Sequence, residues 1–96
     1  MTKFGIEKKP FDVLKDIAEK NKSLRKQAGL TQSELAKRSG VSLGSLKRFE
    51  LSGQISLESL LKLAQVLNRI RDFELILNTN DKLKNIDKLF SDRTRS

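Results

Sequence analysis

Neither cysteine nor histidine occurs among the 96 residues. Their absence removes disulfides, thiolate and imidazole metal ligands, and nucleophilic mechanisms that depend on Cys or His. No apolar run approaches the ~20 residues of a membrane-spanning helix. The opening MTKFGIEKKP also lacks the apolar centre of a signal peptide. A cytoplasmic location without a membrane partner is the expectation. No segment alternates apolar and polar residues as a half-buried strand does, and there is neither an internal repeat nor a low-complexity stretch. The acids Glu34, Asp72, Glu74 and Asp81 show no close pairing suited to acid–base work, so neither an enzyme nor a cofactor is expected.

Positive charge is abundant, with a formal net of +8 on a chain that suits one compact domain. The excess is focused. Between positions 20 and 48, Lys20, Lys22, Arg25, Lys26, Lys37, Arg38, Lys47 and Arg48 face the single acid Glu34, a net of +7. The flanking stretches are close to balanced. A basic patch on one segment attracts a polyanion. A basic amphipathic membrane binder would instead line its cations opposite aromatics along one longer helix.

The chain divides into short helical units punctuated by caps. Pro10 precedes a stripe of Phe11, Val13, Leu14, Ile17 and Ala18, continued by Leu24 and Ala28, which predicts a first helix over about 11–27 closed by Gly29. Thr31 and Glu34 form a T-x-x-E capping box that starts a second helix with Leu35 and Ala36 inward. Ser39-Gly40 ends it, and Ser42 caps a third helix with Leu46 and Phe49 inward, closed by Ser52-Gly53. Ser56 caps a fourth helix, for which the expected core stripe is Leu57, Leu60, Leu61, Ala64 and Leu67. Leu63, Val66, Phe73 and Ile76 are left over as a dimer or partner surface, because so small a chain struggles to bury them all. Expected organisation is an arm over 1–10, a domain over 11–78 and a polar tail over 79–96, where Leu83, Ile86, Leu89 and Phe90 offer the apolar side chains.

The run QSELAKRSGVSLGSLKRFEL has the pattern of two helices crossing over a tight turn: small Ala36 permits close approach, Gly40 supplies the turn, and Leu35, Val41, Leu46 and Phe49 fill the angle. The basic cluster lies on this same unit. The longer stretch IAEKNKSLRKQAGLTQSELAKRSGVSLGSLKRFE, followed by ISLESLLKLAQVLN, resembles the Cro/C1-type helix-turn-helix regulators, also called the XRE family, through its LR, GLTQ, ELA, GVS and SLESLLKLA motifs. The resemblance implies an all-α, five-helix, lambda repressor-like domain with a short C-terminal extension. It further implies a bacterial, nucleoid-associated repressor that binds double-stranded operator DNA as a homodimer. The family's common asparagine-glycine after the third helix is replaced here by Leu51-Ser52-Gly53.

Carried over position by position, the resemblance places base contacts on Ser42, Leu43, Gly44, Ser45, Lys47 and Arg48. Arg48 can bond O6 and N7 of guanine with its planar fork, while Lys47 can reach a base or a phosphate. Leu43 either touches a thymine methyl or covers the turn. Gly44 either admits a close backbone approach or is a tolerated surface glycine. Gln32, Ser33, Lys37 and Arg38 are the expected phosphate contacts. Arg25 and Glu50 are implied as a structural ion pair between the first and third helices. The stretch from Gly40 to Leu77 also resembles the HipB-like antitoxins that accompany HipA-like kinase toxins, which would add a toxin partner. A phage-type repressor, or an interaction module without a toxin, is the alternative.

Overall fold

The structure, a computed structural model, describes residues 7–79. Its elements are α1 (Pro10–Gln27), α2 (Gln32–Ser39), α3 (Leu43–Ser52), α4 (Leu57–Val66) and α5 (Ile70–Glu74). No strand occurs among the described residues. This is the five-helix, all-α arrangement expected of a Cro/C1-like domain. Of the expected arm and tail, only Glu7–Pro10 and Thr79 are described; Asp81, Leu83, Ile86, Leu89 and Phe90 lie outside the described residues.

The starts of α1 to α4 each have a chemical cause. Pro10 lacks the N–H that a first helical position would leave unpaired, and the Lys9 backbone N–H donates to the Asp12 carboxylate at 3.0 Å. At α2, the Glu34 N–H donates to Thr31 Oγ1 at 3.0 Å while the Thr31 N–H donates to Glu34 Oε1 at 2.8 Å, closing the capping box from both sides. Ser42 and Ser56 accept from the N–H groups of Ser45 and Ser59. The ends are equally defined. The Leu30 N–H returns to the Arg25 carbonyl and the Gly29 N–H to that of Lys26, the paired bonds of a Schellman turn. Asn68, at φ 61°, ends α4 the same way through Arg69 to Ala64 and its own N–H to Gln65.

Leu35, Leu46, Phe49 and Leu63 are fully enclosed, joined in the core by Ala18, Leu30, Ala36, Val41 and Leu60. Burying each of the four large side chains is worth about 1.5–3 kcal/mol. Two expectations fail here. Phe11 stays 60% exposed, and Val13 and Leu14 are exposed as well. At 1.5 Å per residue the 18-residue α1 is about 27 Å long, nearly twice the length of α3, on which it packs, and Phe11 in its first turn lies ahead of Leu14, whose backbone meets Gly53 at the end of α3. On α4 the buried face is Leu60, Leu63 and Ala64, while Leu57 is 63% exposed and Leu61 only half-buried. With leucines around most of this helix, period alone does not select the inward set. Leu63, expected at a partner surface, is therefore a core residue, and Val66 and Phe73 are half-buried against the same core.

Candidate nucleic-acid interface

The turn between α2 and α3 is the three-residue link Gly40-Val41-Ser42. Gly40 holds φ 81°, a left-handed conformation that side chains rarely adopt, and its N–H returns to the Ala36 carbonyl at 2.9 Å. Val41 is buried beneath the turn and Ser42 starts α3. Leu46 and Phe49 anchor one side of α3 in the core, which fixes what the other side presents. At 100° per residue, Gly44, Lys47, Arg48 and Leu51 share the opposite face, with Ser45 beside them, and all five are exposed.

Beneath this face lies a buried polar cluster. Arg25 meets Glu50 bidentately, Nε donating to Oε2 at 2.7 Å and Nη2 to Oε1 at 3.1 Å, with side-chain exposures of 9% and 4%. Its third donor, Nη1, reaches the Leu30 carbonyl at 2.8 Å, and Gln32 Nε2 donates to Glu50 Oε1 at 2.9 Å. One carboxylate thus joins α1, α2 and α3. The fork geometry of arginine satisfies both carboxylate oxygens, which is what a pair withdrawn from water requires.

Of the residues expected at phosphates, Ser33, Lys37 and Arg38 are exposed on α2. Gln32 is half-buried with its amide nitrogen turned to Glu50, so what it offers outward is its backbone N–H at the helix start. Glu34 lies in the same first turn. The Thr31 backbone N–H, helped by the Thr31 hydroxyl, favours its charged form and holds its carboxyl below the ordinary value of 4.5. Among the described residues, none of Lys37, Arg38, Lys47 and Arg48 pairs with a carboxylate within salt-bridge distance. Four exposed cations on α2 and α3, none paired with an acid, give these two helices their positive charge.

Of the residues expected at bases, Ser42 caps α3 and its hydroxyl donates to Ser45 Oγ at 2.9 Å. Leu43 is half-buried against the core and covers the turn. A Cβ built on Gly44 would meet no atom within 4 Å, so nothing inside the protein demands a glycine there. Arg48 is held from the side, its Nη2 donating to Gln54 Oε1 at 2.6 Å. Ser52 closes the ring, its hydroxyl donating to the Arg48 carbonyl at 2.7 Å and accepting from the Gln54 N–H at 3.3 Å. Ser45, Arg48, Gln54, Ile55, Ser56 and Ser59 border an open notch of about 340 Å³ between α3 and the start of α4.

Gln54 and Leu51 are the residues the sequence reading missed. Leu51 is signalled by helical spacing, standing three residues after Arg48 and four after Lys47. Gln54 lies beyond the helix-ending glycine, where no periodicity points to a contact with Arg48. Among the described residues no cluster of three Asp, Glu, His or Cys side chains is placed to hold a metal ion. No described helix is long and apolar enough to cross a membrane.

Two short capped helices crossing over a glycine turn, with a basic exposed face on the second, define a helix-turn-helix DNA-binding unit. A helix-turn-helix family profile matches residues 22–73, more than half of the chain, and the protein belongs to that family. It is a DNA-binding transcription regulator of Cro/C1 type. No curated protein and no solved structure matches the chain.

Proposed function

We propose that the protein is a repressor, acting on its own promoter among others, that binds a palindromic operator as a homodimer with α3 in the major groove. The observation that carries this reading is the exposed face of α3, where Lys47 and Arg48 have no acidic partner and stand on a helix locked from behind by the Arg25–Glu50 pair. Arg48 has donors to spare beyond the one given to Gln54, enough for a bidentate bond to guanine. Ser42, Ser45, Lys47, Leu43 and Gly44 complete the base-facing set. Ser33, Lys37, Arg38 and the Gln32 N–H grip phosphates.

Twofold symmetry would set the two α3 helices about 34 Å apart, one turn of DNA. Apolar surface for such a contact is present past α5, where Leu75 and Leu77 are 66% and 90% exposed. The same surface supports a second reading, an antitoxin that also holds a HipA-like kinase. A kinase-like reading frame beside the gene favours it, and a phage lysis or replication frame favours a phage-type repressor.

The test compares Arg48→Ala with Lys37→Ala on the DNA upstream of the gene and on a scrambled duplex, across salt concentrations. Loss of Arg48 costs about 1–3 kcal/mol on the operator and relaxes one base pair per half-site. Loss of Lys37 weakens both duplexes alike and flattens the salt slope by about one unit. Equal loss on both duplexes for Arg48→Ala would move that residue to the phosphate backbone.

A further inference from the structure

On the side of the molecule away from α3, a cavity of about 210 Å³ opens between α1, α4 and α5. Its walls are mainly apolar, formed by Ile17, Leu24, Leu67, Phe73 and Ile76 among others. An engineered cavity of about 150 Å³ accepts a benzene ring, so this one has room for an aromatic ring and part of a second side chain. Asn21 also lines it. This residue is only 6% exposed, and its amide nitrogen has no hydrogen-bond partner among the described residues. A buried donor without an acceptor is rare in a folded protein, because the bond it made to water has not been replaced. The cavity therefore calls for an occupant that is apolar over most of its surface and presents one acceptor.

We infer that the occupant is the chain's own C-terminal segment, Leu83–Phe90. Thr79, the last described residue, is three positions past Ile76, which stands in the cavity wall. The four residue steps to Leu83 span up to about 13 Å when extended, enough to turn back onto that wall. The sequence spacing is such that in a helix Leu83, Ile86 and Phe90 would share one face, with the acid Asp87 on the same strip. Three apolar side chains match the walls, and the Asp87 carboxylate matches the orphaned Asn21 amide. Lys20 and Arg69 in the cavity lining favour a carboxylate there, and Asp72, the one acid of that lining, is already paired with Arg69. A tether this short gives the segment an effective concentration in the millimolar range, ahead of a second copy or a separate partner at ordinary concentrations. The inference stands apart from DNA binding, since no residue of α3 borders the cavity.

The absence of cysteine gives a clean test in the full chain. Ser91→Cys carries a single spin label while the Ile, Leu and Val methyl groups are followed by NMR. Docking broadens the Ile17, Leu67 and Ile76 methyls severalfold more than those of Leu35 and Val41 beside the turn. The contrast is lost when Ile86→Asp and Phe90→Asp are added. In a mixed sample, with the label on one population and the isotope on the other, the contrast disappears if the segment fills its own cavity. Equal broadening of all methyls, or a contrast that persists in the mixed sample, overturns the inference; the second result assigns the cavity to another copy of the chain.

Discussion

Among the described residues, two ion pairs between an arginine and an acid show how differently the two ends of the domain are built. Arg25 and Glu50 bind bidentately at 2.7 and 3.1 Å, almost out of water, with Leu30 and Gln32 using the remaining capacity of both groups. Arg69 and Asp72 meet at 2.8 Å across the first turn of α5, with about half of each side chain in solvent. The first pair and its partners tie together three helices, whereas the second links the residue before a five-residue helix to the third residue of that helix. Capping follows the same division. Around the DNA-facing end, Thr31, Ser42 and Ser56 each accept a helix N–H, while α5 starts at Arg69 with no side-chain cap. Similar side chains thus contribute rigidity at one end and little at the other, because burial and connectivity decide what a contact is worth.

That contrast is broken most directly by Arg25→Ala and Glu50→Ala, each of which strands a buried charge and is expected to lower stability by about 3–5 kcal/mol. Arg69→Ala removes an exposed pair and should lower it by less than about 1 kcal/mol. Thermal melts of the three variants measure the difference, and similar losses at both ends would show the Arg25 pair to be no better shielded than its counterpart.

A smaller effect is expected at the junction of α3 with α1. Gly53 holds φ 83°, and a Cβ on it would lie 2.9 Å from the backbone of Leu14. Gly53→Ala combines left-handed strain of about 1–2 kcal/mol with a steric clash of about 1–3 kcal/mol. Urea unfolding should register a loss of about 3 kcal/mol. The same substitution at Gly44, where no atom crowds the position, should raise stability by up to about 1 kcal/mol. A raised melting temperature joined to weaker operator binding would assign Gly44 to close approach of the DNA.

A smaller loss than at Gly53 is expected at the capping box. Thr31→Ala removes one N-cap bond and should cost about 1 kcal/mol. The box also responds to pH. Because the Glu34 carboxyl titrates below its ordinary 4.5 when folded, its contribution is fully present at neutral pH and is lost as pH falls below about 4.5 and through the lowered folded value. In Glu34→Gln that part of the acid sensitivity disappears, which melts at pH 7 and pH 3.5 compare.

Much of the DNA-facing end was legible in the sequence because its signals are local. Thr31 with Glu34, Gly40, Ser42 and Ser56 mark helix ends by bonds formed within a few residues, and all four marks fall where the structure has them. What escaped depends on distant neighbours. The exposure of Phe11 follows from where α2 and α3 end, not from anything within α1. The turn of Gln32 toward Glu50 spans 18 positions, and the burial of Leu63 instead of Leu57 reflects which side of α4 meets α2. The Arg48 contact with Gln54 crosses a helix end, beyond the reach of helical periodicity. Asn21 looks in sequence like any polar residue of a surface helix, yet the structure encloses it.

The Glu50 carboxylate has one more consequence. Since it binds a residue of α1 and a residue of α2 while belonging to α3, the helix proposed to enter the groove and the helix proposed to meet the phosphates are tied to each other by side-chain bonds within the free protein. In the proposed mode of binding the main chain then has little freedom to surrender, and the ordering entropy of association would fall on the tips of Lys37, Arg38, Lys47 and Arg48. Association becomes the docking of a preformed shape, with a heat-capacity change that reports the surface covered and no refolding of the protein.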